Sequence, residues 1–312
     1  MGGHVFGSVI KIRKNNINIT LDKFKEEMTN IFPKAGKYFN EFITLGSVGK
    51  KDWSGDIDLA FDERILYNLS DWGIDPRYYE DLYKLYKKRA RTATDKQCQR
   101  RAILQSIVDI INTDPSITEN IEASGKGAGN GMISIAFPQY VSNGTKLSSY
   151  VQIDLMFGDI NWLKFSYYSD VYIGNIKGLH RTQFLVHLFT YKGYSFSHNQ
   201  GVKKDNEVIC NTPEECINLL NKIYNININR DICSNYIKLH DYLKENLSKK
   251  DLEGVYDIYL KTLDSTRCDI PDDLQEYWIN NQNRLNLKGR FLPEDSKLFP
   301  HKIDETIENI SK

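Results

Sequence analysis

The densest run of chemistry-bearing side chains is Leu45-Gly46-Ser47-Val48-Gly49-Lys50-Lys51-Asp52-Trp53-Ser54-Gly55-Asp56-Ile57-Asp58-Leu59. Side chains two apart on a β-strand share a face, so Asp56 and Asp58 point one way while Ile57 and Leu59 point into a core. Two neighbouring carboxylates repel unless cations sit between them. An acid–aliphatic alternation puts hard oxygen ligands on a rigid support, which suits Mg²⁺. A third acid, Asp154, stands alone among apolar neighbours in Val151-Gln152-Ile153-Asp154-Leu155-Met156. If the two strands are neighbours, the three acids converge, and such a set can hold two metal ions about 3.5–4 Å apart. The chemistry such a pair serves is displacement at phosphorus, which consists mostly of positioning and charge neutralisation. Gly46-Ser47, a turn after a strand, offers backbone N–H groups and a hydroxyl to phosphate oxygens, and Ser54-Gly55 can do likewise. Lys50 or Lys51, lying between them, can reach phosphates as a point charge.

The elements that must position these residues mix strands and helices. Residues 4–12 and 17–19 are rich in Val and Ile and read as strands. Thr20 then caps a helix carrying Leu21, Phe24, Met28, Ile31 and Phe32 at helical spacing, stopped by Pro33. Short strands follow at 42–45 and 57–61, and a long helical stretch covers 77–112 with a break near 92–95. The glycine-rich loop 125–131 feeds a strand at 132–137, which pairs as a hairpin with 150–157 across a turn-rich connector at 142–148. A helix is expected at 179–192 and two short strands around Gly201. Thr212 and Glu215 form a capping box with Pro213 in the first turn. From 231 the pattern is helical. Tyr236, Leu239, Tyr242 and Leu243 make one apolar face, and Leu252, Val255, Tyr256, Tyr259 and Leu260 make a second. Past Gly289 it is irregular. The whole is an α+β pattern, without regular βαβ alternation.

The chain has 312 residues, with 41 Lys+Arg against 41 Asp+Glu, enough for about two domains at roughly 150 residues each. It holds no apolar run long enough to span a bilayer and no apolar-centred signal segment, so no membrane partner is expected. Its five cysteines include no C-x-x-C pair, which argues against a zinc site or a disulfide framework and for a reduced, cytoplasmic setting. Residues 84–101 carry eight basic side chains and one acid. Lys87, Lys88, Arg89, Arg91, Arg100 and Arg101, with tyrosines nearby, suit a nucleic-acid backbone and salt-sensitive binding; the alternative is a solvated helix face. Arg181, early in the helix after Gly178, either faces a nucleotide or lies on the surface. His187 and His198 have no metal-site spacing, and Cys210 and Cys216 read as small packing groups.

A Gly-Ser, an acid-x-acid strand and a third acid on a later strand together resemble the nucleotidyltransferase superfamily typified by DNA polymerase β. Gly46-Ser47, Asp56-x-Asp58 and Asp154 carry the likeness, and Ser54-Gly55-Asp56-Ile57-Asp58 is most similar to the family X polymerases. It extends over residues 40–230, through Lys192-Gly193-Tyr194, Gln200-Gly201-Val202 and Thr212-x-x-Glu215. It implies a nucleotidyltransferase palm, an antiparallel or mixed sheet flanked by helices, over 1–160. A nucleotide-binding terminal subdomain would follow over 161–230, then a helical C-terminal extension over 231–312 packed against the palm or orienting substrate. The implied cofactor is a pair of Mg²⁺ ions, replaceable by Mn²⁺, and the partners are a nucleoside triphosphate and a DNA or RNA 3′ hydroxyl. Asp56 and Asp58 would ligate both ions, and Asp154 the catalytic one. That family places Tyr-Phe-x-Gly beside the nucleotide sugar; here either Tyr172-Ile173 or Asn175-Ile176 occupies that place, ahead of Gly178. Too little chain precedes Gly46 for that family's lyase domain, so base-excision repair is not implied. Toxin and antibiotic-modifying relatives keep the chemistry but use a protein, tRNA or small-molecule acceptor.

Overall fold

A computed structural model describes residues 5–89, 93–113, 121–168, 178–266 and 270–287. In chain order the elements are β1 (Ile12–Arg13), α1 (Lys14–Ile31), β2 (Ile43–Thr44), β3 (Trp53–Ser54), β4 (Ile57–Asp62), α2 (Pro76–Arg89), α3 (Asp95–Thr113), β5 (Glu122–Ser124), β6 (Met132–Tyr140) and β7 (Lys146–Gly158). There follow α4 (Ile160–Ser166), α5 (Gly178–Tyr191), β8 (Ser195–Ser197), β9 (Gly201–Lys204), β10 (Glu207–Cys210), α6 (Pro213–Tyr224), α7 (Arg230–Ser234), α8 (Tyr236–Asn246), α9 (Lys249–Thr266) and α10 (Gln275–Leu285). The architecture is a mixed sheet flanked by helices, with a largely helical second half.

The main sheet has the order β2-β4-β7-β6-β5. Its β4 and β7 run parallel, and its other neighbours are antiparallel. Period-2 alternation makes one face apolar: Ile57, Leu59 and Phe61 of β4, Ile133, Ile135 and Phe137 of β6, and Val151, Ile153, Leu155 and Phe157 of β7. This face buries the apolar stripes of α1 (Leu21, Phe24, Met28) and α3 (Ile103, Leu104, Ile107, Ile111) in one cluster. The opposite face carries Asp58, Ser134, Gln152 and Asp154.

A second apolar cluster runs from Trp162 through Phe184, Phe189, Leu220, Leu239 and Tyr259 to Trp278 and Leu285. Of the helices after residue 231, α8 and α9 pack on α5, where Tyr236, Tyr256 and Tyr259 meet Phe184. Among the described residues these helices join the second cluster and not the one under the main sheet, which is the packing that one of the two readings of this segment expects. Thr212 and Glu215 do form the capping box.

Several local expectations are corrected. Residues 17–19 lie inside α1, because the helical spacing of Leu21, Phe24 and Met28 extends back to the buried Ile17. Thr20 is thus no cap; it sits mid-helix, buried, and its Oγ1 accepts from the Tyr140 backbone N–H at 3.0 Å. Among the described residues of 4–12, which begin at Val5, the strand character shrinks to a parallel bridge between Val9 and Tyr150 and to Ile12, the first residue of β1. Strand β7 begins at Lys146, inside the expected connector, and the segment around Gly201 holds three strands rather than two. Among the described residues no helix is long and apolar enough to cross a membrane.

Candidate metal centre

Parallel pairing of β4 with β7 sets Asp58 directly opposite Asp154, and antiparallel pairing of β6 with β7 sets Ser134 on the other side of Asp154. Asp56 immediately precedes β4. Ligand oxygens of Asp56, Asp58 and Asp154 lie within 4.8 Å of one another. Burial pushes the Asp154 carboxyl up to about 6, opposed by hydrogen bonds from Ser134 and Gln152. Gln152 supplies that support through one Nε2, which donates to both carboxylate oxygens at 3.0 Å. Burial, followed by the charges of Asp56 and Asp154, drives the Asp58 carboxyl well above its ordinary value.

These residues fit a divalent metal on chemical grounds. Their donors are all hard oxygens, their mutual repulsion is the kind a cation relieves, and their strand support is rigid. Gly46 adds a steric argument. Its φ is +62°, which strains any other residue, and a Cβ there would stand 3.0 Å from Asp58 Oδ2 and crowd that carboxylate.

A cavity of about 420 Å³ opens beside Gly46. Lys50, Lys164, Arg181 and Arg230 supply cations to its wall; Phe165, Tyr167 and Tyr168 supply aromatic surface. Among the described residues, no acidic side chain lines it. Lys50 Nζ sits 5.2 Å above the Tyr168 ring, and Gly46 bridges Tyr168 through its backbone. Burial and the charges of Asp58 and Asp154 hold the Tyr167 phenol in its protonated form. Its hydroxyl donates to Asn199 Oδ1 at 3.0 Å, and Asn199 Nδ2 donates to the Asn130 carbonyl at 2.7 Å.

The other sequence-derived candidates divide. Gly46 and Lys50 border the cavity, Ser47 forms the adjoining turn, and Lys51 is exposed. Ser54 is turned inward in β3 at 1% exposure, so its side chain does not reach phosphate as expected; Gly55 is half-buried in the turn before Asp56. Arg181 is not a surface residue. It is buried, its Nε donating to the Cys233 carbonyl at 2.7 Å and its Nη1 to the Phe165 carbonyl, which ties α4 to α7 beneath the cavity.

Of the basic run, Arg100 is also corrected. It is 2% exposed, with Nη2 donating to the Gly129 carbonyl at 3.1 Å and Nη1 3.7 Å from Glu63 Oε2, which removes it from any nucleic-acid surface. Lys88, Arg89 and Arg101 are exposed, Arg101 lying over the Tyr86 ring; Lys87 pairs with Asp95 at 3.1 Å. Gly178 is the first residue of α5, while Arg91, Tyr172 and Asn175 lie outside the described residues. His187 and His198 join no metal-ligand group among the described residues. Cys210 and Cys216 are both buried.

Sequence reasoning missed Tyr167, Asn199, Ser134 and Gln152. Gln152 carried a usable signal, being two positions before Asp154 and so on its face of the strand. Tyr167 and Asn199 meet across distant chain segments and carried none. No protein-family model matches the chain, and no curated protein matches it.

Proposed function

We propose that the protein is a Mg²⁺-dependent nucleotidyltransferase that moves a nucleoside monophosphate from a nucleoside triphosphate to a nucleic-acid 3′ hydroxyl, releasing pyrophosphate. The reading assigns the main sheet as a nucleotidyltransferase palm. The observation that carries it is the register that sets Asp58 beside Asp154, with Asp56 within ligand distance of both. Asp56 and Asp58 would hold both ions, and Asp154 the one nearer the acceptor. Bound there, Mg²⁺ would lower the pKa of the attacking hydroxyl and neutralise charge on the triphosphate and its leaving oxygen. Asp154, its carboxylate oriented by Gln152, would take the hydroxyl proton on a carboxylate oxygen. Backbone N–H groups of the Gly46–Gly49 turn would bind phosphate, and Lys50 would neutralise it. The cationic, aromatic cavity beside Gly46 has the chemistry of a nucleotide, an anion joined to a flat ring.

The test is incubation with each labelled nucleoside triphosphate in Mg²⁺ or Mn²⁺, over single-stranded, duplex, gapped and tRNA acceptors. Label should pass to a nucleic acid, and Asp56→Ala and Asp154→Ala should lower the rate at least about a thousandfold while circular dichroism stays native. Wild-type rates in either variant refute the mechanism. The exposed Lys88, Arg89 and Arg101 favour a polynucleotide acceptor. Replacing all three by Ala should weaken oligonucleotide binding in a gel shift and flatten its salt dependence. Transfer with no oligonucleotide binding at low salt would point to a protein or small-molecule acceptor instead.

A further inference from the structure

Gln152 connects the candidate metal centre to a part of the chain that the chemistry above does not use. Tyr150, Gln152 and Asp154 alternate with the core residues Val151, Ile153 and Leu155, so they share the outer face of β7. Residues 5–10 lie along that same face. Phe6 and Val9 are buried there against Ala136, the cross-strand partner of Gln152, with Val5 and Tyr150 beside them. The Ile10 N–H donates to the Tyr150 carbonyl at 2.9 Å, and Val9 bridges Tyr150 in parallel. The result is an N-terminal strap laid over the sheet next to Asp154.

One hydrogen bond joins the strap to the carboxylate. The Val5 backbone N–H donates to Gln152 Oε1 at 3.0 Å, while Gln152 Nε2 donates to both Asp154 oxygens. Gln152 is 3% exposed, so water is a poor substitute for either partner. An amide has one accepting end and one donating end. With its oxygen engaged by Val5, its NH₂ must face the carboxylate; flipped, it would set an oxygen against an anion and leave the Val5 donor unpaired. The strap therefore selects the orientation that restrains Asp154, and Nε2 spread over both oxygens fixes the plane of the carboxylate while leaving lone pairs for a cation.

We propose that Gln152 is a positioning residue for the metal centre, and that the 5–10 strap acts through the Val5 N–H to hold it in that role. This rests on the reading of the three acids as a metal centre. Loss of a hydrogen-bond partner behind a metal ligand commonly costs about 10–100-fold in metal affinity.

The experiment is Mn²⁺ binding to the full chain, read as loss of the free-ion signal in electron paramagnetic resonance. It compares wild type, Gln152→Leu, Gln152→Met, Val5→Pro and the Val5→Pro/Gln152→Leu double variant, with melting temperatures in parallel. Gln152→Met keeps the length of the side chain and Gln152→Leu is one atom shorter, and both lose its polar ends. Val5→Pro removes the donor together with the Val5 side chain and the freedom of φ, and the melting temperatures separate that packing cost from the loss of the donor. The expected result is roughly tenfold weaker Mn²⁺ binding in the Gln152 variants. Val5→Pro should weaken binding severalfold on its own and add nothing once Gln152 is Leu, the non-additivity of a single relay. In transfer assays kcat should fall with KM for the triphosphate unchanged. Wild-type Mn²⁺ affinity in both Gln152 variants overturns the positioning role and leaves the metal centre standing. Equal losses from Val5→Pro in both backgrounds overturn the role of the strap. Failure of the unaltered protein to bind Mn²⁺ removes the metal centre, and this inference with it.

Discussion

Burial pushes the Asp154 carboxyl up to about 6 from an ordinary 3.8, and Asp58 is driven up as well, by burial and then by the charges of Asp56 and Asp154. Without a cation, the ionised acids work against folding. Between those two values the folded chain holds more protons at Asp154 than the unfolded chain does. That contribution to stability is full below the window and is lost as pH rises through it. Thermal melts in chelator from pH 3.5 to 7.5 should therefore show Asp154→Asn gaining on wild type as pH rises, with Mg²⁺ shrinking the difference; a difference constant over that range would contradict the account. At pH 7 in chelator, Asp58→Asn should be more stable than wild type, because the carboxyl that burial and its acidic neighbours hold toward its neutral form is then neutral without a proton, while losing transfer. Gly46→Ala should cost about 1–2 kcal/mol for its left-handed backbone and weaken Mn²⁺ binding, because its methyl would crowd Asp58 Oδ2. Unchanged Mn²⁺ affinity in that variant would show that Asp58 has room to move.

At the scale of elements, the acid–aliphatic alternation of β4 and β7 was readable because a strand's period of two leaves each acid one possible face. The meeting of the two strands was a conditional reading, since sequence does not encode which strands pair. The start of α1 was misread because Ile17-Asn18-Ile19 alternates like a strand, whereas the helix is set by the longer spacing from Ile17 to Met28. Arg100 and Arg181 look like surface cations in a polar run; they are buried because carbonyls of Gly129, Phe165 and Cys233 wait for them, partners brought from elsewhere in the chain. Thr20 has a similar origin, as its hydroxyl serves the end of β6 rather than its own helix. Thr20→Val should cost about 1–3 kcal/mol in urea unfolding by leaving the Tyr140 N–H without its partner. A neutral result would mean that water reaches that amide.

Over the whole molecule, one apolar cluster lies between the main sheet, α1 and α3, and another fills the helical second half. Asn199 stands at their junction. It accepts from Tyr167 and donates to the carbonyls of Asn130 and Gly131, and the Gly131 carbonyl in turn accepts from the Phe157 N–H of β7. Asn199→Ala should lower stability by about 1–3 kcal/mol and broaden the urea transition as the two halves cease to unfold together; an unchanged, sharp transition would show that other contacts suffice. The parallel pairing of β4 with β7 reaches further. Parallel neighbours need a crossover, and here residues 63–145 fill it with α2, α3, β5 and β6. No hairpin can bring Asp58 to Asp154. During translation, a nascent chain released from the ribosome short of β7 would carry two of the acids and no centre. On the proposed reading, chains that end before β7 should fail to bind the Mn²⁺ that the full chain binds.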